Sequence, residues 1–97
     1  MATYVVLFNW TEQGIKGYTE SPKRVDAAVE AWSDLGVQIK DIYWTIGKHD
    51  LVGILEAADD ETLAAAMLRL GALGNVRTTT LRAFGRSEAE AVIKRAG

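Results

Sequence analysis

From Gly47 to Phe84 the chain reads GKHDLVGILEAADDETLAAAMLRLGALGNVRTTTLRAF, a strand, a helix and a strand with a signal at every boundary. Gly47-Lys48-His49 turns the chain. Asp50 to Glu56 is then a strand apolar on both parities, with Leu51 and Leu55 on one side and Val52 and Ile54 on the other. Asp59 or Asp60 supplies a carboxylate to the orphan N–H groups of a helix start. The helix carries its apolar stripe at Leu63, Ala66, Met67 and Leu70 and ends in a glycine-containing turn at 71–74, where the left-handed backbone that closes a helix costs glycine nothing. Asn75 to Phe84 is the last strand, and its run Thr78-Thr79-Thr80 suits a sheet edge or a polar seam. A strand, helix and strand in this order must bury the helix stripe on a sheet face, so the rest of the chain has to complete the sheet.

The upstream half supplies the missing parts. Thr3 to Trp10 is β-branched and aromatic on both parities: Tyr4, Val6, Phe8 and Trp10 face one way, Val5 and Leu7 the other. Thr11 to Glu20 (TEQGIKGYTE) is polar, carries Gly14 and Gly17 and shows no sustained period. It reads as a loop or one irregular turn, with Ile15 and Tyr18 as anchors. Ser21-Pro22 predicts a helix start with serine as N-cap and proline at the first helical position. That helix is expected to run to about Leu35 before Gly36, with Val25, Ala28, Val29, Trp32 and Leu35 as its apolar stripe and Lys23, Arg24, Glu30 and Asp34 in water. Val37 to Ile46 is strand-like, but its apolar parity switches at Lys40-Asp41, which predicts a bulge there. Ser87 and Glu90 ahead of Ala91, Val92 and Ile93 predict a capping box and a short terminal helix.

The order strand, helix, strand, strand, helix, strand gives an α+β class chain: a ferredoxin-like βαββαβ sandwich with a short C-terminal helix, as one domain over residues 1–97. Both main helices then lie on one face of an antiparallel sheet. An antiparallel sheet whose other face meets water alternates apolar and polar residues, yet the first and third strands are apolar on both faces. The expected answer is a homo-oligomer, a dimer or higher, closed sheet to sheet.

Composition removes several function classes. Eleven Lys and Arg against thirteen Asp and Glu give a net charge of −2 with neither sign concentrated in one half, so no basic stripe invites nucleic acid. Without cysteine the chain has no disulfide and no thiolate nucleophile or ligand. The apolar run at the amino terminus (MATYVVLFNW) is too short to span a membrane and lacks a basic leader, so the expected location is cytoplasmic. No metal site and no cofactor motif emerges. Gly71-Ala72-Leu73-Gly74 closes a helix and opens a strand, the reverse of a phosphate loop.

The stretch GKHDLVGILEAADDETLAAAMLRLGALGNVRTTTLRAF, together with LFNWTEQGIKGYTESPKR and IYWTIG upstream, resembles the GYD domain family of small bacterial and archaeal proteins across nearly the whole chain. The resemblance implies the ferredoxin-like half of a dimeric α+β barrel and no established activity. The family's motif has tyrosine before the aspartate; here His49 precedes Asp50. A role played through the tyrosine phenol would be done differently here or lost, whereas an imidazole keeps a ring and a polar tip and is compatible with a structural role.

Candidate site residues follow from residue type and position. His49 beside Asp50 is a possible proton-transfer pair near neutral pH, although adjacent residues in strand geometry point apart, and a turn histidine with an aspartate bonding to local backbone is the favoured alternative. Glu56 interrupts an apolar strand, which suits a buried general acid or base or, in preference, an ion pair with Arg77 or Arg82. Asn9, Trp10, Lys16 and Tyr18 surround the first loop and Tyr43 precedes the Gly47 turn, a mix of aromatic and polar groups compatible with a small-molecule ligand, as is Arg77 on the last strand. The leading functional expectation is an oligomeric small-molecule-binding or regulatory protein. The competing classes are an enzyme like the cofactor-independent monooxygenases and isomerases of dimeric α+β barrels, and a structural subunit.

Overall fold

In the computed structural model, which describes Met1–Gly97, period-two burial defines the sheet. β1 (Ala2–Trp10) buries Tyr4, Val6 and Phe8 in alternation, and β3 (Leu51–Ala57) buries Leu51, Gly53, Leu55 and Ala57. These two strands pair antiparallel at the centre, with Val6 opposite Gly53. β2 (Gln38–Trp44) flanks β3 and β4 (Val76–Ala83) flanks β1, giving the order β2-β3-β1-β4. The threonine run therefore lies on an edge strand. The β2 register slips between Ile39 and Asp41, the bulge that the parity switch predicts.

Two long helices cover one face, as the βαββαβ order requires. α2 (Ser21–Ala31) contributes Val25 and Ala28, and a following 3₁₀ turn (Ser33–Leu35) ends at Gly36 with φ +71°. α3 (Asp60–Ala72) is capped by Asp59, whose carboxylate accepts from the Thr62 N–H at 2.9 Å and is held below the usual carboxylate range mainly by its bond from the Thr62 hydroxyl. Leu63 and Ala66 of α3 join Tyr4, Val6, Phe8, Trp32, Val37, Leu51, Leu55, Ala57 and Val76 in one buried core. The opposite face carries no helix. There Val5, Leu7, Val52 and Ile54 are half-buried and Leu81 is 49% exposed.

Several expectations need correction. The stretch after β1 is not a loop: α1 (Glu12–Lys16) starts at Thr11, whose hydroxyl accepts from the Gly14 N–H, and a 3₁₀ turn spans Tyr18–Glu20. Ile15 and Tyr18 face water, and α1 is anchored instead by the Thr11 hydroxyl donating to the Gly74 carbonyl at 2.5 Å and by Gly14 against Asn75. Ser21 is the first residue of α2 rather than its N-cap, because its oxygen accepts from the Trp44 indole N–H at 2.9 Å. Val29 points outward at 49% exposure, whereas Arg24 is half-buried. Finally, α4 (Arg86–Ala96) begins before Ser87: Glu88 accepts from the Gly85 N–H at 3.1 Å, so the reciprocal contact falls two residues earlier than expected.

Candidate functional site

The Gly47 turn brings its polar residues against the end of β1. The Asn9 amide donates to the Lys48 carbonyl at 2.6 Å, which aims its oxygen at His49 Nδ1, 2.7 Å away. In that orientation Nδ1 donates its N–H to the Asn9 oxygen. Asp50 turns the other way. Its carboxylate accepts from the Trp10 N–H at 2.8 Å, its own N–H donates to the Phe8 carbonyl at 2.9 Å, and its carbonyl accepts from the Thr45 N–H at 2.8 Å. No hydrogen bond joins Asp50 to the imidazole; each residue latches the turn to β1 separately, the arrangement expected for neighbours in extended backbone.

The other acidic candidate sits elsewhere. Glu56 lies opposite Thr3 and Gln38 on the helix-free face. The expected ion pair with Arg77 or Arg82 does not form, because β1 separates β3 from β4 and Arg82 pairs in register with Tyr4 on the helix face. Arg82 instead approaches Glu88 at 3.6 Å and stacks on the rings of Tyr4 and Phe84. Tyr4, 2% exposed, donates its hydroxyl to Asp60 at 2.5 Å. Burial first, and then the bond to Asp60 and its charge, push this phenol up to about 12, so it stays protonated at neutral pH.

The remaining sequence candidates do not converge. Lys16 pairs with Glu12 at the surface, Tyr18 and Tyr43 are 61% and 60% exposed, and Arg77 lines an open groove beside α3. Trp10 alone among them lines the apolar cavity, which measures about 220 Å³ between α2, the end of α3 and the sheet. Phe8, Leu51, Ile39 and Ile42 form its floor, and Ala27, Ala28 and Ala31 leave the space on the α2 side. Ser21, Arg24, Arg69 and Asn75 are its polar lining. Arg69 holds Asp34 through two bonds of 2.9 and 3.1 Å, which keep that carboxyl below its ordinary range. Arg24 donates to the Gly14 and Gly17 carbonyls at 3.1 and 2.9 Å. Sequence reading misses Arg24 because its partners are carbonyls of a segment that reads as a loop; the alanines at 27, 28 and 31, spaced to share one side of a helix, are the visible signal of room beside it. No three His, Asp or Glu side chains converge on a point where a metal ion could sit.

The GYD domain matches residues 4–93. The chain belongs to the GYD family. A relative from Thermus thermophilus, the glutamine synthetase and cystathionine beta-lyase binding protein, is 36% identical over 85 residues, covering 87% of this GYD chain and 90% of that protein. Among solved structures, TTHA0845 from Thermus thermophilus is similar with a TM-score of 0.54 at 31% identity, over 88% of this chain and 95% of the other. The structure of FFRP-DM1 gives a TM-score of 0.60 at 17% identity, over 87% and 100% of the two chains, a likeness of fold. No helix in this GYD protein is long and apolar enough to cross a membrane.

Proposed function

We propose that this GYD protein is a non-catalytic binding and regulatory subunit of the cytoplasm that docks, as a homodimer, onto metabolic enzymes. The observation that carries the reading is the relative at 36% identity, spanning 90% of its own length, whose name makes it a binding protein of glutamine synthetase and cystathionine beta-lyase. The chemistry of the chain is compatible with such a role. His49 and Asp50 are engaged in separate latches, Glu56 lies on the far face, and none of the three lines the cavity.

The dimer follows from the helix-free face. Val5, Leu7, Val52, Ile54 and Leu81 form an apolar centre there, with Glu56 and Asp41 toward its edges. An apolar centre with a polar rim is the anatomy of a protein interface. α4 is a second arm of the same assembly: none of its residues is buried in its own chain, and Val92 and Ile93 are exposed. A helix of this length with no buried residue is marginal in water.

The direct test is biolayer interferometry of the immobilised protein against glutamine synthetase and cystathionine β-lyase from its own source. Saturable binding with Kd in the micromolar range or tighter to at least one of them, and none to an unrelated enzyme, is expected; no binding of either at about 100 μM overturns the reading.

A further inference from the structure

The cavity between α2, α3 and the sheet has one charged end that its own chain does not neutralise. Two guanidinium groups line it. Arg69 is neutralised by the bidentate carboxylate of Asp34. Arg24 has no carboxylate partner: its bonds go to the carbonyls of Gly14 and Gly17, which occupy two of the five N–H donors of a guanidinium and leave its charge uncancelled. Ser21, 4% exposed, stands three residues earlier on the same turn of α2. Its oxygen accepts from Trp44 and its O–H donates to no protein group, so that donor is free. The amino-terminal end of α2 adds positive potential on the same side.

We propose that this cavity is a binding site for a small apolar carboxylic acid, its carboxylate held by Arg24 and Ser21 and its hydrocarbon body among Phe8, Trp10, Trp32 and Ile42. Size sets the upper bound. An apolar cavity of about 150 Å³ holds benzene, so about 220 Å³ takes one ring, or a branched chain of similar bulk, with a short acidic arm. Nucleotides are too large. The walls set the class. Sugars and zwitterionic amino acids would lose hydration against rings and aliphatic side chains without recovering hydrogen bonds, whereas a hydrocarbon body gains by leaving water. The monoanionic head then meets a half-buried cation, where a charge-assisted, bidentate bond is strongest.

The test titrates phenylacetate, and separately its neutral isostere phenylacetamide, into the full-length protein, read by the fluorescence of Trp10 and Trp32 in the cavity wall and by amide chemical shifts. Phenylacetate is expected to saturate with a Kd below about 1 mM and the amide to bind at least about tenfold more weakly. Arg24→Gln should erase that preference. Because Arg24 also holds the Gly14 and Gly17 carbonyls, Ala28→Leu serves as the variant that leaves those bonds intact; by filling the cavity it should weaken both compounds at least about tenfold. Equal affinity for acid and amide, no saturation of either by about 10 mM, or shifts confined to the helix-free face would each overturn the proposal. It stands apart from enzyme docking: a chain that binds phenylacetate and no enzyme retains the site, and one that docks on an enzyme without binding phenylacetate lacks it.

Discussion

Replacing Asp50 tests whether the aspartate of the Gly47 turn is a structural latch. Its carboxylate accepts the Trp10 N–H at 2.8 Å, while its backbone bonds to Phe8 and Thr45 do not depend on the side chain. A hydrogen bond to a charged group contributes about 1.5–3 kcal/mol net, and the half-exposed position of Asp50 places it near the lower bound. Asp50→Ala removes the acceptor and leaves a strand-end N–H without its partner, a cost of about 1.5–2 kcal/mol. Asp50→Asn keeps a neutral acceptor and should cost about 0.5–1 kcal/mol. For a domain of this size the alanine variant should melt roughly 6–15 °C lower. Urea unfolding followed by tryptophan fluorescence, at one fixed protein concentration because association shifts apparent stability, should show a lower midpoint at unchanged m. Equal costs for alanine and asparagine, or an alanine cost below about 0.5 kcal/mol, would refute the latch.

Other consequences are as specific. Gly14→Ala drives a Cβ into the Asn75 carbonyl, backbone against backbone, and should cost at least about 2 kcal/mol by calorimetry while undocking α1 from the α3–β4 turn. The Tyr4 phenol is raised in the folded state from 10 to about 12, so its stabilising contribution is whole below pH 10 and is lost as pH rises from 10 toward 12. Tyr4→Phe should flatten the decline of stability across that window, and a decline equal to that of the parent chain would contradict the assignment. His49→Phe removes the bond to Asn9, and a loss of about 0.5–1.5 kcal/mol with enzyme binding unchanged is expected by urea titration and interferometry. A loss of enzyme binding in a folded His49→Phe variant would place the imidazole in the interface.

Much of the fold was legible because its signals are local. The two-sided apolar character of β1 and β3, the parity switch at the β2 bulge and a carboxylate cap from Asp59 or Asp60 each rest on a few adjacent residues, and each stands as read, whereas α2 stops at Ala31, short of the expected Leu35, and Gly36 closes the 3₁₀ turn that follows it. The misreadings share a cause in contacts between distant segments. α1 is five residues long and has no period to detect, and it exists because Thr11, Gln13 and Gly14 meet the 73–75 turn. Ser21 looks like an N-cap until the Trp44 indole, brought alongside by the sheet, claims its oxygen. Glu88 and Glu90 offer equivalent spacings, three residues after Gly85 and Ser87, and only the exit from β4 chooses between them. The site was less legible for the same reason. Four of the sequence candidates do meet, Asn9 with His49 and Trp10 with Asp50, but as latches between the Gly47 turn and β1, while Arg24 and the alanines of α2 become a cavity wall only once α2 and α3 are laid across the sheet.

Helices cover one face of the sheet, a second copy is proposed to close the other, and sedimentation equilibrium tests that closure most directly. At about 20 μM, above the micromolar dissociation constant of a modest interface, the protein should weigh twice its chain mass of 10.6 kDa, and Val52→Glu in the centre of the helix-free face should return it to one chain mass while remaining folded. A parent protein that sediments at 10.6 kDa under those conditions would contradict the account.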